Sequence, residues 1–137
     1  MITAVDTNVL MDLLLEDPSF QPESEQFLRE ASSEGSLVIC EVVYGEIAGF
    51  FQDRPALDTF LKETGVHLKH SSPEVLWKAG HLWRGFRVDR PAKPAVPRRL
   101  LADFLIGAHA HLQADRLLTR DKGFYKAAFS GLRLLTP

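Results

Sequence analysis

Four acidic residues stand at positions where acids are rarely needed for folding alone. Asp6 follows the β-branched and apolar run Ile2-Thr3-Ala4-Val5 and precedes Thr7-Asn8 and the apolar pair Val9-Leu10. That pattern predicts a buried strand, a tight turn and the start of a helix. Ligands of open α/β sheets bind at the carboxyl ends of strands, which is where Asp6 falls. Thr7 or Asn8 would suffice as a helix cap, so capping leaves Asp6 unexplained. On a helix, Glu46 has Val42, Val43, Gly49 and Phe50 as its three- and four-residue neighbours, which predicts an inward, apolar face. Asp103 repeats the pattern with Leu100, Ile106 and Gly107, and the small residues Gly107 and Ala110 predict a helix lying close to the sheet. Asp121 follows a later strand as Asp6 follows the first.

Each acid also has a structural reading. Asp6 can be a cap, Glu46 a helix-edge residue bent to water, Asp103 a first-turn acid favoured by the helix dipole, and Asp121 part of an Asp-Lys-Gly turn. Taken together, two acids at strand ends and two on inward helix faces make an oxygen-only cluster. Such clusters suit hard divalent ions, Mg²⁺ or Mn²⁺. Those ions polarise phosphoryl oxygens and activate water.

Charge points to a polyanionic substrate. The formal net charge is only −2. Residues 1–63, however, hold thirteen acids and three bases, and residues 64–137 five acids and thirteen bases. The densest basic run is Arg84, Arg87, Arg90, Lys93, Arg98 and Arg99, against Asp89 alone, and it leads directly to Asp103. By itself such a run reads as a solvated helix face and loop. Beside an acidic site it becomes a place to hold a phosphate backbone.

The elements that must position these residues alternate. Strands are expected near residues 2–5, 37–39, 66–68, 116–119 and 132–135. Helices are expected over 8–15, 22–34, 41–52, 56–63, 72–88 and 98–113. Pro91, Pro94 and Pro97 break the chain between the last two helices. Strands alternating with helices imply βαβ crossovers, so the expected fold is a single α/β domain over residues 1–137. Its sheet is mostly parallel and its flanking helices make a Rossmann-like three-layer arrangement. No apolar stretch is long enough to span a bilayer, and the N-terminus lacks a basic region followed by an apolar run. The lone Cys40 lies in an apolar run and reads as a buried, inert thiol; a cytoplasmic setting is the default.

Four segments carry a family resemblance: Ala4-Val5-Asp6-Thr7-Asn8-Val9-Leu10, Val43-Tyr44-Gly45-Glu46, Ala102-Asp103-Phe104-Leu105-Ile106-Gly107-Ala108-His109-Ala110, and Leu118-Thr119-Arg120-Asp121-Lys122-Gly123-Phe124. In that order they resemble the four motifs of the PIN domain, and within that superfamily the VapC-type ribonuclease toxins of prokaryotic toxin–antitoxin pairs. The resemblance covers the whole chain. It implies a Mg²⁺- or Mn²⁺-dependent endoribonuclease in which Asp6, Glu46, Asp103 and Asp121 bind metal and activated water cuts the phosphodiester without a covalent intermediate. Asn8 and Thr119 match polar positions that support the acids. A cognate antitoxin and a homodimer are the partners it implies, with RNA as substrate. Charge and place suggest Arg98, Arg99, Arg120 and Lys122 as phosphate contacts. Asp12, Glu41 and Asp115 read as surface, cap or turn residues, and the basic, proline-broken segment 84–99 lies outside the common motif.

Other chemistries fit less well. His109 and His111 are two apart and point different ways on a helix, so they form no zinc pair. No glycine-rich phosphate loop follows the first strand. A Mg-dependent phosphohydrolase with an aspartyl nucleophile would want an acid where Asn8 stands. A non-catalytic α/β binding or signalling module would need no inward Glu46 and Asp103. Trp77, Trp83 and Phe50-Phe51 read as aromatic core before interface anchors.

Overall fold

The computed structural model describes residues 1–89 and 100–137. Twelve elements follow one another there: β1 Ile2–Val5, α1 Thr7–Leu14, α2 Gln21–Glu34, β2 Ser36–Ile39, α3 Glu41–Ala48, α4 Arg54–Thr64, β3 Val66–Leu68, α5 Pro73–Asp89, α6 Leu101–Gln113, β4 Arg116–Leu118, α7 Lys122–Ala128 and β5 Leu134–Leu135. Every strand pairing is parallel, in the order β3-β2-β1-β4-β5. The chain builds outward from β1 through β2 to β3, then returns past β1 to lay down β4 and β5 on its other side. The boundary between β1 and β4 is therefore the point where strand order reverses. In open parallel sheets such a reversal point is where ligands bind, in the crevice outside the carboxyl ends of the strands.

The central strands are buried on both faces, as parallel strands covered by helices must be. Thr3, Ala4 and Val5 of β1 are all buried, as are Leu37, Val38 and Ile39 of β2 and Leu117 and Leu118 of β4. Helix boundaries follow local chemistry. Asp53 caps α4 through the Ala56 N–H at 2.9 Å, and Gly65 ends it in the left-handed region at φ 71°. Ser72 caps α5 through the Val75 N–H at 3.3 Å. Leu100 is extended, so α6 begins at Leu101, and the Leu100 N–H donates to the Asp103 carboxylate at 3.3 Å.

One element escaped the sequence reading. Asp121-Lys122-Gly123 reads as turn chemistry and no helix is expected after it, yet Lys122–Ala128 form α7. Tertiary packing decides this. Phe124 and Phe129 meet Phe104 of α6 with ring centroids 5.2 and 6.4 Å apart, and Phe86 of α5 closes the cluster against Phe104 at 5.6 Å. Such ring pairs add stabilisation beyond their buried area. Gly107 makes this possible: a Cβ there would lie 2.2 Å from the Phe129 ring. The small residue thus lets a ring from the α7 end approach α6 closely.

Two of the expected core aromatics are exposed. Trp77 is 66% accessible, stacked on His81, and Phe50 is 59% accessible. Trp83 and Phe51 do pack against the core. Cys40 is buried, and desolvation pushes its thiol up to about 11, so it is inert. Arg90, Lys93, Arg98, Arg99 and the three prolines among them lie outside the described residues.

Candidate active site at the β1–β4 boundary

The last residue of β1, Val5, pairs with Leu118 of β4, and the Asp6 N–H donates to the Leu118 carbonyl at 2.9 Å. The next residues on the two strands, Asp6 and Thr119, therefore emerge side by side at the carboxyl edge, in the crevice where strand order reverses. Asp6 is only 6% exposed. One carboxylate oxygen accepts from the Thr7 N–H at 2.7 Å, which caps α1. The other accepts from the Thr119 hydroxyl at 2.7 Å and the Asn8 amide at 3.3 Å. Asp6 thus caps α1 while standing buried at the carboxyl edge of the sheet.

Burial raises the Asp6 pKa from 3.8 to about 6, because an ion loses water there. Hydrogen bonds from Thr119, Tyr125 and Thr7 pull it back, and the nearby charge of Asp103 adds to the rise. The buried Tyr125 of α7 is the common neighbour of the acids. Desolvation and then the charges of Asp6 and Asp103, its hydrogen bond to Asp6, and the charge of Asp121 hold its phenol protonated well above the usual range. The Tyr125 hydroxyl thus hydrogen-bonds to Asp6 and lies within reach of the charges of Asp103 and Asp121.

A family model for the PIN domain matches residues 3–130. The chain belongs to the PIN domain family. No curated protein sequence matches it. Its fold is similar to that of a VapBC2 complex from Rickettsia felis bound to a promoter DNA fragment. The TM-score is 0.73 at 18% identity, covering 100% of this chain and 99% of that one. VapBC-1 from nontypeable Haemophilus influenzae gives a TM-score of 0.68 at 20% identity over 99% and 98% of the two chains. DNA-bound VapBC from Salmonella typhimurium gives 0.64 at 17% identity, with the same coverages. At these identities the likeness is one of fold.

In this PIN domain the four expected acids do not share one environment. Glu46 was expected on the apolar face of its helix, but it is exposed. The buried stripe of α3 is Val43 and Ile47, and Glu46 lies one residue off it, at the rim. The Thr7 hydroxyl reaches it at 2.7 Å, so Thr7 links Glu46 to the residue beside Asp6. Asp103 is partly buried in the first turn of α6, near enough for its charge to act on Asp6. Among the described residues no three acidic, histidine or cysteine side chains are gathered tightly enough to ligate one ion by themselves. An oxygen-only donor set still fits a hard divalent cation, which commonly takes one or two carboxylates and completes its shell with water and substrate phosphate. The desolvated charge of Asp6 is what such a cation would compensate.

The supporting residues are tied into one network. Asn8 bridges Asp6 and Thr119, and its carbonyl accepts the Arg120 N–H at 3.2 Å. Thr119 in turn accepts the Asp121 N–H at 3.0 Å. Arg120, expected beside phosphate, is bound instead to Asp12 through two nitrogens at 2.8 and 2.7 Å. Asp12, expected at the surface, is 3% exposed. Lys122 is exposed at the start of α7. His109 is buried and donates to the Lys69 carbonyl at 2.8 Å, a packing role. Sequence reasoning missed Thr7, Tyr125 and the Asp12–Arg120 pair. The spacing of Tyr125 and Phe129, four apart, was the signal for an inward tyrosine.

Proposed function

We propose that this PIN domain is a Mg²⁺- or Mn²⁺-dependent endoribonuclease and the toxin of a toxin–antitoxin pair, with RNA as substrate, a cognate antitoxin as inhibitor and a homodimer as its working form. The observation that carries the reading is the buried Asp6 carboxylate, held by Thr7, Thr119 and Asn8 at the carboxyl edge where β1 meets β4, with Asp103 near enough for its charge to act on it. The VapBC neighbours support the toxin assignment through their fold.

Asp6, Asp103 and Asp121 would hold the cation, and Glu46 would join from the rim, oriented by Thr7. Bound there, a divalent ion supplies a Lewis acid for the phosphoryl oxygen and lowers the pKa of water. The protein's own residues set the geometry. Thr119 and Asn8 fix the Asp6 carboxylate by donating to it, and the neutral Tyr125 hydroxyl supplies a further donor. Outer hydrogen bonds of this kind govern ligand orientation and metal affinity. Lys122, with Arg98 and Arg99, would meet the RNA backbone.

The test is cleavage of total cellular RNA by purified, antitoxin-free protein with Mg²⁺ or Mn²⁺, against EDTA, beside Asp6→Asn. Metal-dependent cutting that Asp6→Asn abolishes is the expected result. Failure of the folded protein to cut any RNA class with metal supplied would overturn the nuclease reading in favour of a binding module.

A further inference from the structure

Arg120 follows Thr119 in the motif and belongs to the basic half of the chain, so charge alone assigns it to RNA. Its contacts assign it elsewhere. The guanidinium donates to both carboxylate oxygens of Asp12 at 2.8 and 2.7 Å, the two-pronged geometry that fixes direction as well as distance. Asp12 also accepts the Ser24 hydroxyl of α2 at 2.6 Å. The ring of Phe20 lies 4.1 Å from the guanidinium carbon and covers it. The Asp12 side chain is 3% exposed and that of Arg120 31%.

We propose that the Asp12–Arg120 pair is a positioning clamp for the metal-binding acids; this rests on the metallonuclease reading above. The turn after β4 is tied to α1 at two levels. The Arg120 backbone N–H donates to Asn8, and its side chain reaches Asp12, four residues further along the same helix. Residues four apart stack one turn above the other. One tie would let the turn pivot against α1, whereas two ties a helical turn apart fix its orientation. That turn carries Thr119, which donates to Asp6, and Asp121, whose N–H donates back to Thr119. The clamp therefore sets Asp121 relative to Asp6, and Arg120 touches no substrate.

The experiment measures Mn²⁺ binding by calorimetry, without RNA, for wild type, Arg120→Gln, Asp12→Asn and the double variant. Circular dichroism and urea midpoints confirm folding. Each single variant is expected to weaken Mn²⁺ about tenfold or more, the range seen when partners of metal ligands are removed, and the double variant no further. Arg120→Lys keeps the charge but not the two-pronged bond, and serves if the other variants unfold; it is expected to weaken Mn²⁺ as well. In cleavage assays kcat falls while KM holds. Unchanged Mn²⁺ affinity in the folded variants, with a raised KM for Arg120→Gln alone, would overturn the clamp and return Arg120 to the RNA. Absence of Mn²⁺ binding by wild type itself would overturn the metallonuclease reading and the clamp with it.

Discussion

Replacing Asp6 by Asn should stabilise the metal-free protein at high pH while removing its activity. Burial raises the folded-state pKa of Asp6 from 3.8 to about 6. A carboxyl group raised in this way contributes stability that is fully present below 3.8 and is lost as pH rises through about 6. Two pK units at ~1.4 kcal/mol each set the charge penalty near 3 kcal/mol. Asn carries no charge and escapes it. The substitution has a cost of its own, because an NH₂ group would face the Thr119 and Asn8 donors. That mismatch is worth about 1–2 kcal/mol and does not vary with pH. The variant should therefore be more stable than wild type by roughly 1–2 kcal/mol at pH 8 and less stable by a similar amount at pH 4. Urea unfolding of chelator-treated proteins at both pH values measures the difference. A gap between the two proteins that stays constant with pH would refute the claim that Asp6 is ionised against its surroundings.

Three further outcomes follow from single contacts. Tyr125→Phe removes a donor that lowers the Asp6 pKa, so the Asp6 carboxyl, followed by carbon NMR without metal, should titrate higher than in wild type. Thr7→Val deletes the hydroxyl that holds Glu46 at 2.7 Å; kcat for RNA cleavage should fall about tenfold with KM little changed, and an unchanged kcat would remove Thr7 from the site. Gly107→Ala places a methyl 2.2 Å from the Phe129 ring. Overpacking of this kind costs about 1–3 kcal/mol, read as a lowered urea midpoint.

Much of the fold was legible because each strand is a short apolar run bounded by strong punctuation: Asp6 after β1, Gly35 before β2, Gly65 before β3. The placement of Asp6 at the carboxyl edge was legible for the same reason, since an acid directly after a buried parallel strand has one place to go. Helical phase was less readable. The inward-acid argument was applied to Glu46, which is exposed, and not to Asp12, which is buried. Both stand among apolar neighbours on short helices, and only the packing of α1 against α2, with Ser24 and Arg120 supplied from elsewhere in the chain, selects which acid turns inward.

The sequence by itself determined the alternating elements and placed Asp6 directly after a buried strand, because these depend on residue type and local spacing. Tertiary structure decided which groups meet. Residues more than a hundred positions apart, Asp6 and Thr119, adjoin only because β4 is laid beside β1. Tyr125 reaches the acids only because α7 docks through its aromatic residues onto α6. Arg120 pairs with Asp12 and not with phosphate for a similar reason. A guanidinium goes to the partner that the fold brings within reach, and local spacing carries no record of which partner that is.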